Sequence, residues 1–222
     1  MKRSLLDSRR VRQWLRDQGV VVDGPADRRH VALTFDDGPH PDATPRLLEV
    51  LARHGVTATF FPLGFRAAEF PAVLAEVAAA GHEIGTHGYQ HVPWVLSPPS
   101  VLRRDLSRSV DTIADACGVR PKVARPPFGW VHAGSVGICA ELELEVVLGD
   151  VYPRDTTRPG TGTIVGRTQR RVGPGSIIIL HDGAWRLGAD RTQTLAAVDA
   201  LIPRLRAEGY TFVTVERLRN PT

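Results

Sequence analysis

Three short segments hold the residues best suited to chemistry: Thr34-Phe35-Asp36-Asp37-Gly38-Pro39, His87-Gly88-Tyr89-Gln90-His91 and Leu180-His181-Asp182. The first and last follow apolar, β-branched runs, Val31 to Phe35 and Ile177 to Leu180, so each belongs where a buried strand opens into a loop. If they converge, two imidazoles and a carboxylate can hold one metal ion. A second carboxylate and a third imidazole remain for proton transfer. That is the equipment of a metal-dependent hydrolase.

Taken singly, each segment has a plainer reading. His87 and His91 share one face of a helix or tight turn and can bind a common cation, yet loop histidines also bond to backbone or water. Gly88 stands where a zinc-peptidase helix needs Glu, so that pattern fails. Adjacent residues at a strand end point to opposite sides, so one of Asp36 and Asp37 can ligate while the other approaches the bound water; an ordinary Asp-Gly turn is the alternative. His181 ends the most apolar run of the chain, where a histidine bonded to backbone would also sit. In Arg125-Pro126-Pro127-Phe128-Gly129, the guanidinium could keep an aspartate ionised and oriented, or be a surface arginine on a stiff loop.

These segments need a scaffold. Residues 4–19 pattern as an amphipathic helix, with Leu5, Val11, Trp14 and Leu15 apolar and Gly19 as its stop, packed on the outside of the main body. Beyond it, strand-like runs at 31–35, 57–61, 83–85, 122–124, 144–148, 176–180 and 210–215 alternate with helical runs at 45–54, 71–80, 134–141, 163–172 and 192–207. A longer helix begins after Ser97-Pro98-Pro99 and reaches Cys117, with Leu102, Leu106, Val110, Ile113 and Cys117 as its apolar stripe. The alternation predicts an α/β fold with a parallel sheet. About seven repeats favour a closed or nearly closed barrel in a single domain over an open doubly wound sheet. No Gly-x-Gly-x-x-Gly and no Walker loop follow the first strand, which argues against nucleotide binding. Asp36, Asp37, His87, His91, Arg125, Asp150 and His181 all fall just after strands, where such a barrel gathers its functional groups.

With 222 residues, 42% of them hydrophobic, the chain can bury a full core, which excludes disorder and a disulfide scaffold. Cys117 and Cys139 read as small buried side chains. The net charge of +4 comes almost wholly from scattered arginines, which read as solvated helix faces. Attraction to an anionic substrate or membrane surface is the sharper alternative. No basic stripe interleaved with aromatics points to nucleic acid. No segment approaches the ~20 apolar residues of a membrane span. Residues 4–10 lack the apolar stretch of a signal peptide, so the chain as written is expected in the cytoplasm, with secretion if a leader was removed.

Together the segments resemble the polysaccharide deacetylase family, the NodB-homology domain or carbohydrate esterase family 4. The likeness runs from about Val31 to Val215 through Thr-Phe-Asp-Asp-Gly-Pro (34–39), His-x-x-x-His (87–91), Arg-x-Pro-Phe-Gly (125–129) and Leu-His (180–181). It implies a distorted (β/α) barrel of seven or eight mainly parallel strands over residues 26–222, behind a helical extension at 1–25. It implies a divalent metal on Asp37, His87 and His91, with zinc the first expectation and cobalt, nickel, manganese or iron also suited to such ligands. Asp36 is then the catalytic base, His181 the catalytic acid, and Arg125 the partner orienting Asp36. Phe128 supplies an oxyanion N–H, and Pro127, Tyr152 and Trp130 are expected to help bind substrate. Two departures stand out. The family's Asp-x-x-Asp-Trp becomes Asp150-Val151-Tyr152-Pro153-Arg154-Asp155-Thr156, in which Asp155 best fits the second Asp and the tryptophan is missing. Gly88 replaces the usual Ser or Thr, a loss expected to loosen the metal loop. Trp94 and Trp185 join Trp130 and Tyr152 as aromatics that could stack on a sugar or serve packing.

The resemblance implies removal of an N-acetyl or similar small acyl group from an amino sugar, oligosaccharide or small acylated metabolite. Without a leader, a soluble sugar, a lipid-linked precursor or an acylated natural product fits better than assembled wall. An O-acetyl esterase or another small-amide hydrolase would use the same residues. A non-haem iron oxygenase shares the two-histidine, one-carboxylate set, but usually on an all-β scaffold without the spare aspartate and histidine. A non-catalytic binding module would be expected to have lost a base, an acid or a ligand.

Overall fold

The computed structural model describes residues 8–184, 186 and 188–220. Leu5 of the expected first helix, and Trp185, lie outside the described residues. In chain order the elements are α1 (Arg9–Asp17), β1 (His30–Asp36), α2 (Ala43–Arg53), β2 (Thr59–Phe61), α3 (Gly64–Glu69), α4 (Pro71–Ala79) and β3 (Glu83–Ile84). They continue with α5 (Pro99–Cys117), β4 (Val123–Ala124), α6 (Ala133–Glu141), β5 (Glu145–Val146) and α7 (Thr161–Gln169). The chain ends with β6 (Ile177–His181), α8 (Thr192–Ala207), β7 (Thr211–Phe212) and α9 (Val215–Arg219).

Among the described residues every strand pairing is parallel. β3, β2, β1 and β6 lie side by side, β7 pairs with the first residues of β1, and β4 pairs with β5. Single bridges link the two sheets: Thr86 to Ala124 on one side and Val151 to Ile178 on the other. The ring is a distorted barrel of seven strands, as the alternation of strand and helix predicts.

Alternation along β1 shows how the sequence builds the interior. Val31, Leu33 and Phe35 point outward into the main core with Leu47 and Leu51 of α2 and Val198, Leu201 and Leu205 of α8. Ala32 points inward to a smaller cluster containing Phe61, Val123, Val147 and Ile177. Thr34 and Asp36 share that inward face one and two steps further along. Burial of apolar side chains at about 25 cal/mol per Å² is what closes the ring.

The expected strand at 144–148 is shorter than its apolar run. Only Glu145 and Val146 form the register with β4, and the segment after α1 pairs along the opposite edge of the same stretch. Val21 donates to the Val146 carbonyl (2.8 Å) and accepts from the Leu148 N–H (2.7 Å), and Gly24 donates to Gly175 (2.8 Å). Residues 20–24 thus fill the seam between β5 and β6, with Leu15, Val20 and Val22 buried beside Leu102, Leu106 and Leu148. The short helices α3 and α9 fall below the length at which apolar periodicity is readable.

One buried histidine outside the site makes folding pH-dependent. His82 accepts the Ala58 N–H at its Nδ1 (3.1 Å) and packs against Phe60, and burial pushes its pKa down to about 4. The unfolded chain therefore binds the extra proton first, and stability drains away as pH falls from about 6.5 to about 4. His82→Asn keeps an acceptor but cannot titrate. Urea denaturation across that window is expected to show a shallower loss of stability in the variant than in the parent.

Candidate active site and metal centre

The sequence-derived residues converge at the carboxyl ends of the strands. Asp36 closes β1 and lies directly beside His181 in the β1–β6 register. Asp37 follows with φ of 72°, a left-handed backbone that asparagine and aspartate tolerate better than most side chains. This turn, rather than strand alternation alone, sends the two neighbouring carboxylates in different directions. Gly38 must be glycine, since a Cβ there would lie 2.3 Å from a carboxylate oxygen of Asp182.

Asp36 is held by a cation that crosses the barrel. Arg125 follows β4 and is buried, with its guanidinium over the Phe61 ring. It donates from NH1 to Asp36 Oδ1 and Thr34 Oγ1 (both 2.7 Å), and from NH2 to the Leu148 carbonyl (2.6 Å). Its own carbonyl oxygen accepts from His87 Nδ1 (2.7 Å). That bond fixes the His87 tautomer and leaves the Nε2 lone pair free to face Asp37.

The Asp37, His87 and His91 side chains form a cluster whose ligand atoms all lie within 4.8 Å of one another. Nε2 of His91 and of His87 stand 3.3 and 3.6 Å from Asp37 Oδ1, which is buried and accepts no hydrogen bond. Burial pushes Asp37 up, His87 down to about 4 and His91 down. Two imidazoles whose charged forms burial disfavours thus face an orphaned carboxylate oxygen with their Nε2 atoms. A cation between them removes the conflict, and the donor set suits zinc or another borderline divalent ion.

On the other flank, His181 Nδ1 lies 2.9 Å from Asp155 Oδ1. Asp155 Oδ2 accepts the His181 backbone N–H (3.0 Å) and the Thr194 hydroxyl (2.9 Å). Burial alone would lower the His181 pKa, but the Asp155 charge and hydrogen bond, with Asp37 and Asp36 beyond, outweigh it and raise His181 to about 9. Burial likewise pushes Asp155 up, but the His181 charge and hydrogen bond win, keeping it below the usual carboxylate range. Asp155, not Asp150, reaches the site. Asp150 instead accepts from Ser176 Oγ (3.0 Å) and the Ile177 N–H (2.8 Å) on the seam side.

Among the described residues, three exposed aromatics stand around the mouth: Phe128 at 56%, Trp130 at 52% and Tyr152 at 42% exposure. Phe128 sits at φ of 64° after the buried Pro127, packs edge-on against His91 (4.7 Å) and neighbours Trp130 (5.7 Å). Tyr152 stands 6.0 Å from His181. Trp94, by contrast, is fully buried in the cluster under α5, so it packs the core and cannot stack on a ligand.

Several contributors have no motif of their own. Thr34 shows only as a polar residue at an inward β1 position, and Thr194 lies in the first turn of α8. Asp182, next to His181, is buried with Oδ2 accepting from Thr44 Oγ1 (2.5 Å), and burial raises its pKa to about 7. Arg191 ties the following loop by donating from Nε to the Gly183 carbonyl (2.8 Å).

The polysaccharide deacetylase family model matches residues 23–147, more than half of the chain. The chain belongs to the polysaccharide deacetylase family. A peptidoglycan-N-acetylglucosamine deacetylase of Bacillus cereus is 35% identical over 211 residues, covering 94% of this chain and 97% of the relative. A chitooligosaccharide deacetylase of Sinorhizobium fredii is 40% identical over 191 residues, covering 81% of this chain and 87% of that protein. A crystal structure of a peptidoglycan N-acetylglucosamine deacetylase bound to 4-naphthalen-1-yl-N-oxidanyl-benzamide superposes with a TM-score of 0.89 at 30% identity. That alignment covers 95% of this chain and 97% of the other. No helix among the described residues is long and apolar enough to cross a membrane.

Two outcomes follow for this deacetylase-family site. Zn2+ at one hundred times its Kd is expected to stabilise the protein by about 2.7 kcal/mol, read as a rise in Tm. Asp37→Ala and His91→Ala should lose that response. Arg125→Met leaves Asp36 buried without its cation, and should cost about 3–5 kcal/mol in chemical denaturation.

Proposed function

We propose that this protein is a metal-dependent deacetylase that hydrolyses the N-acetyl amide of an amino sugar within a glycan. One arrangement carries the reading: Asp37, His87 and His91 form a ligand cluster flanked by the Asp36–Arg125 pair on one side and the His181–Asp155 pair on the other. A divalent cation, with zinc the metal we favour, would supply Lewis-acid polarisation of the carbonyl and acidify a water molecule.

The chain's own residues then divide the proton traffic. Asp36, with Oδ1 engaged by Arg125, takes the proton of the attacking water on its other oxygen as the new C–O bond forms. Charge gathering on the former carbonyl oxygen is met by the Phe128 N–H. His181, kept protonated by Asp155, delivers its proton from Nε2 to the departing nitrogen as the C–N bond breaks. An amine is a poor leaving group without that proton, so a histidine held charged near neutrality suits an amide. Phe128, Trp130 and Tyr152 offer faces for sugar rings on both flanks of the cluster. The relatives named for peptidoglycan and chitooligosaccharide support an acetylated glycan as the substrate class.

The test is acetate release by the zinc-loaded protein from N-acetylglucosamine, chito-oligomers and peptidoglycan fragments. Release from at least one oligomer is expected, and no release from any sinks the reading. Asp36→Asn should lower kcat by roughly 10²–10⁴-fold while Zn2+ binding survives. The pH–rate profile should fall on its alkaline side as His181 loses its proton. Asp155→Asn removes the charge that raises that pKa, so its alkaline limb should move to lower pH; an unmoved limb would rule out His181 as the acid.

A further inference from the structure

Two of the three candidate ligands ride on one five-residue loop, 87–91, so the metal centre is only as well placed as that backbone. Each N–H from His87 to Gln90 has a partner. His87 donates to the Pro62 carbonyl (2.9 Å). Gly88 donates to Thr86 Oγ1 (3.2 Å), whose hydroxyl pairs with Ser109 Oγ (2.7 Å). Tyr89 and Gln90 donate to the two oxygens of one carboxylate, Asp105 Oδ2 (2.8 Å) and Oδ1 (3.0 Å). Asp105 and Ser109 lie one turn apart on α5, so a single helix face holds two of these amides directly through Asp105 and braces the third through Thr86. From the opposite side, the Gly88 and Tyr89 carbonyls accept from Gly64 (2.9 Å) and Phe65 (3.2 Å) at the start of α3.

We propose that Asp105 is a positioning residue for the metal centre, setting His91 relative to Asp37 through the backbone of Tyr89 and Gln90. The inference rests on the metal-site reading above. His87 has its ring fixed by the Arg125 carbonyl, whereas His91 takes its place from the amides that Asp105 holds. A carboxylate accepting two N–H bonds is a stronger anchor than a neutral acceptor. Gly88 is fitted to this clamp. Its φ is +84°, and a Cβ would lie 2.9 Å from Asp105 Oδ2, pressing on the oxygen that receives the Tyr89 N–H. The glycine is therefore required here, and the loop is braced at the point where its sequence looked slack. Arg108, one turn beyond Asp105's near neighbours on α5, covers the Tyr89 ring from outside (3.8 Å).

The experiment titrates the metal-free full-length protein with Zn2+ against a chromophoric chelator, with Tm and circular dichroism recorded on each variant. Asp105→Asn keeps the shape but turns an amide NH2 towards a backbone N–H. Its Zn2+ Kd is expected to rise roughly tenfold or more in protein that is still folded at 25 °C. Leu102→Ala hollows the core beneath the same helix without touching the loop; its Tm should fall while its Kd stays within about twofold of the parent, by the same comparison. Should Asp105→Asn not fold, Asp105→Glu carries the test, since it keeps the charge but moves both oxygens from the Tyr89 and Gln90 amides, and its Kd should rise too. An unchanged Kd in Asp105→Asn, or in Asp105→Glu where that one carries the test, overturns the inference whatever its Tm. So does a Leu102→Ala Kd that rises as far as that of Asp105→Asn. A parent protein with no measurable Zn2+ affinity overturns the metal-site reading itself, and this inference with it.

Discussion

A single buried guanidinium organises the upper half of the barrel. Arg125 cannot be solvated where it lies, so its charge must be matched by Asp36 and its remaining donors by Thr34 and the carbonyls of Val147 and Leu148. Those partners belong to β1 and to the stretch after β5, on opposite sides of the ring. The demand for satisfaction therefore ties the ring together across its interior, and the Arg125 carbonyl extends the tie to His87. An apolar layer could fill the same space, but it would leave neither an oriented carboxylate nor a fixed imidazole.

Burial also sorts the site's charges. Where a partner of opposite sign is present, as for Asp155 with His181, both groups are held in their charged forms. Where burial outweighs the neighbouring opposite charges, as for Asp37, His87 and His91, the charged forms are disfavoured, and one Asp37 oxygen lacks a hydrogen bond. Similar residue types within a few ångströms thus acquire opposite tendencies, decided by what each faces. The first arrangement suits carrying a proton; the second suits gripping a cation.

Much of this was legible in the residues themselves. Strand ends announce themselves by a change from β-branched apolar runs to Asp, His or Arg, which is why Asp36, Asp37, Arg125 and His181 could be placed before any coordinates. Helix-long apolar stripes such as that of α5 were equally plain. Less visible were features set by distant partners. Nothing local in the run at 144–148 reveals that residues 20–24 come to pair along its free edge. The left-handed turn at Asp37 has no signature beyond the Asp-Gly pair. Trp94 carries the same side chain as a sugar platform, and only its burial decides against that use. Asp105 has no motif of its own, since its hydrogen bonds come from Tyr89 and Gln90 in a loop well before it in the chain.

The seam at residues 20–24 carries a consequence for handling this protein. The family match starts at residue 23, yet Val21, just before that point, pairs with Val146 and Leu148 beside β5, and Gly24, just after it, reaches across to Gly175 ahead of β6. Starting the chain at residue 23 would remove the Val21 pairing with Val146 and Leu148 and unzip an edge directly beside Arg125's carbonyl partners. The residues just after the first helix and those around Arg125, far apart in sequence, thus share one mechanical join.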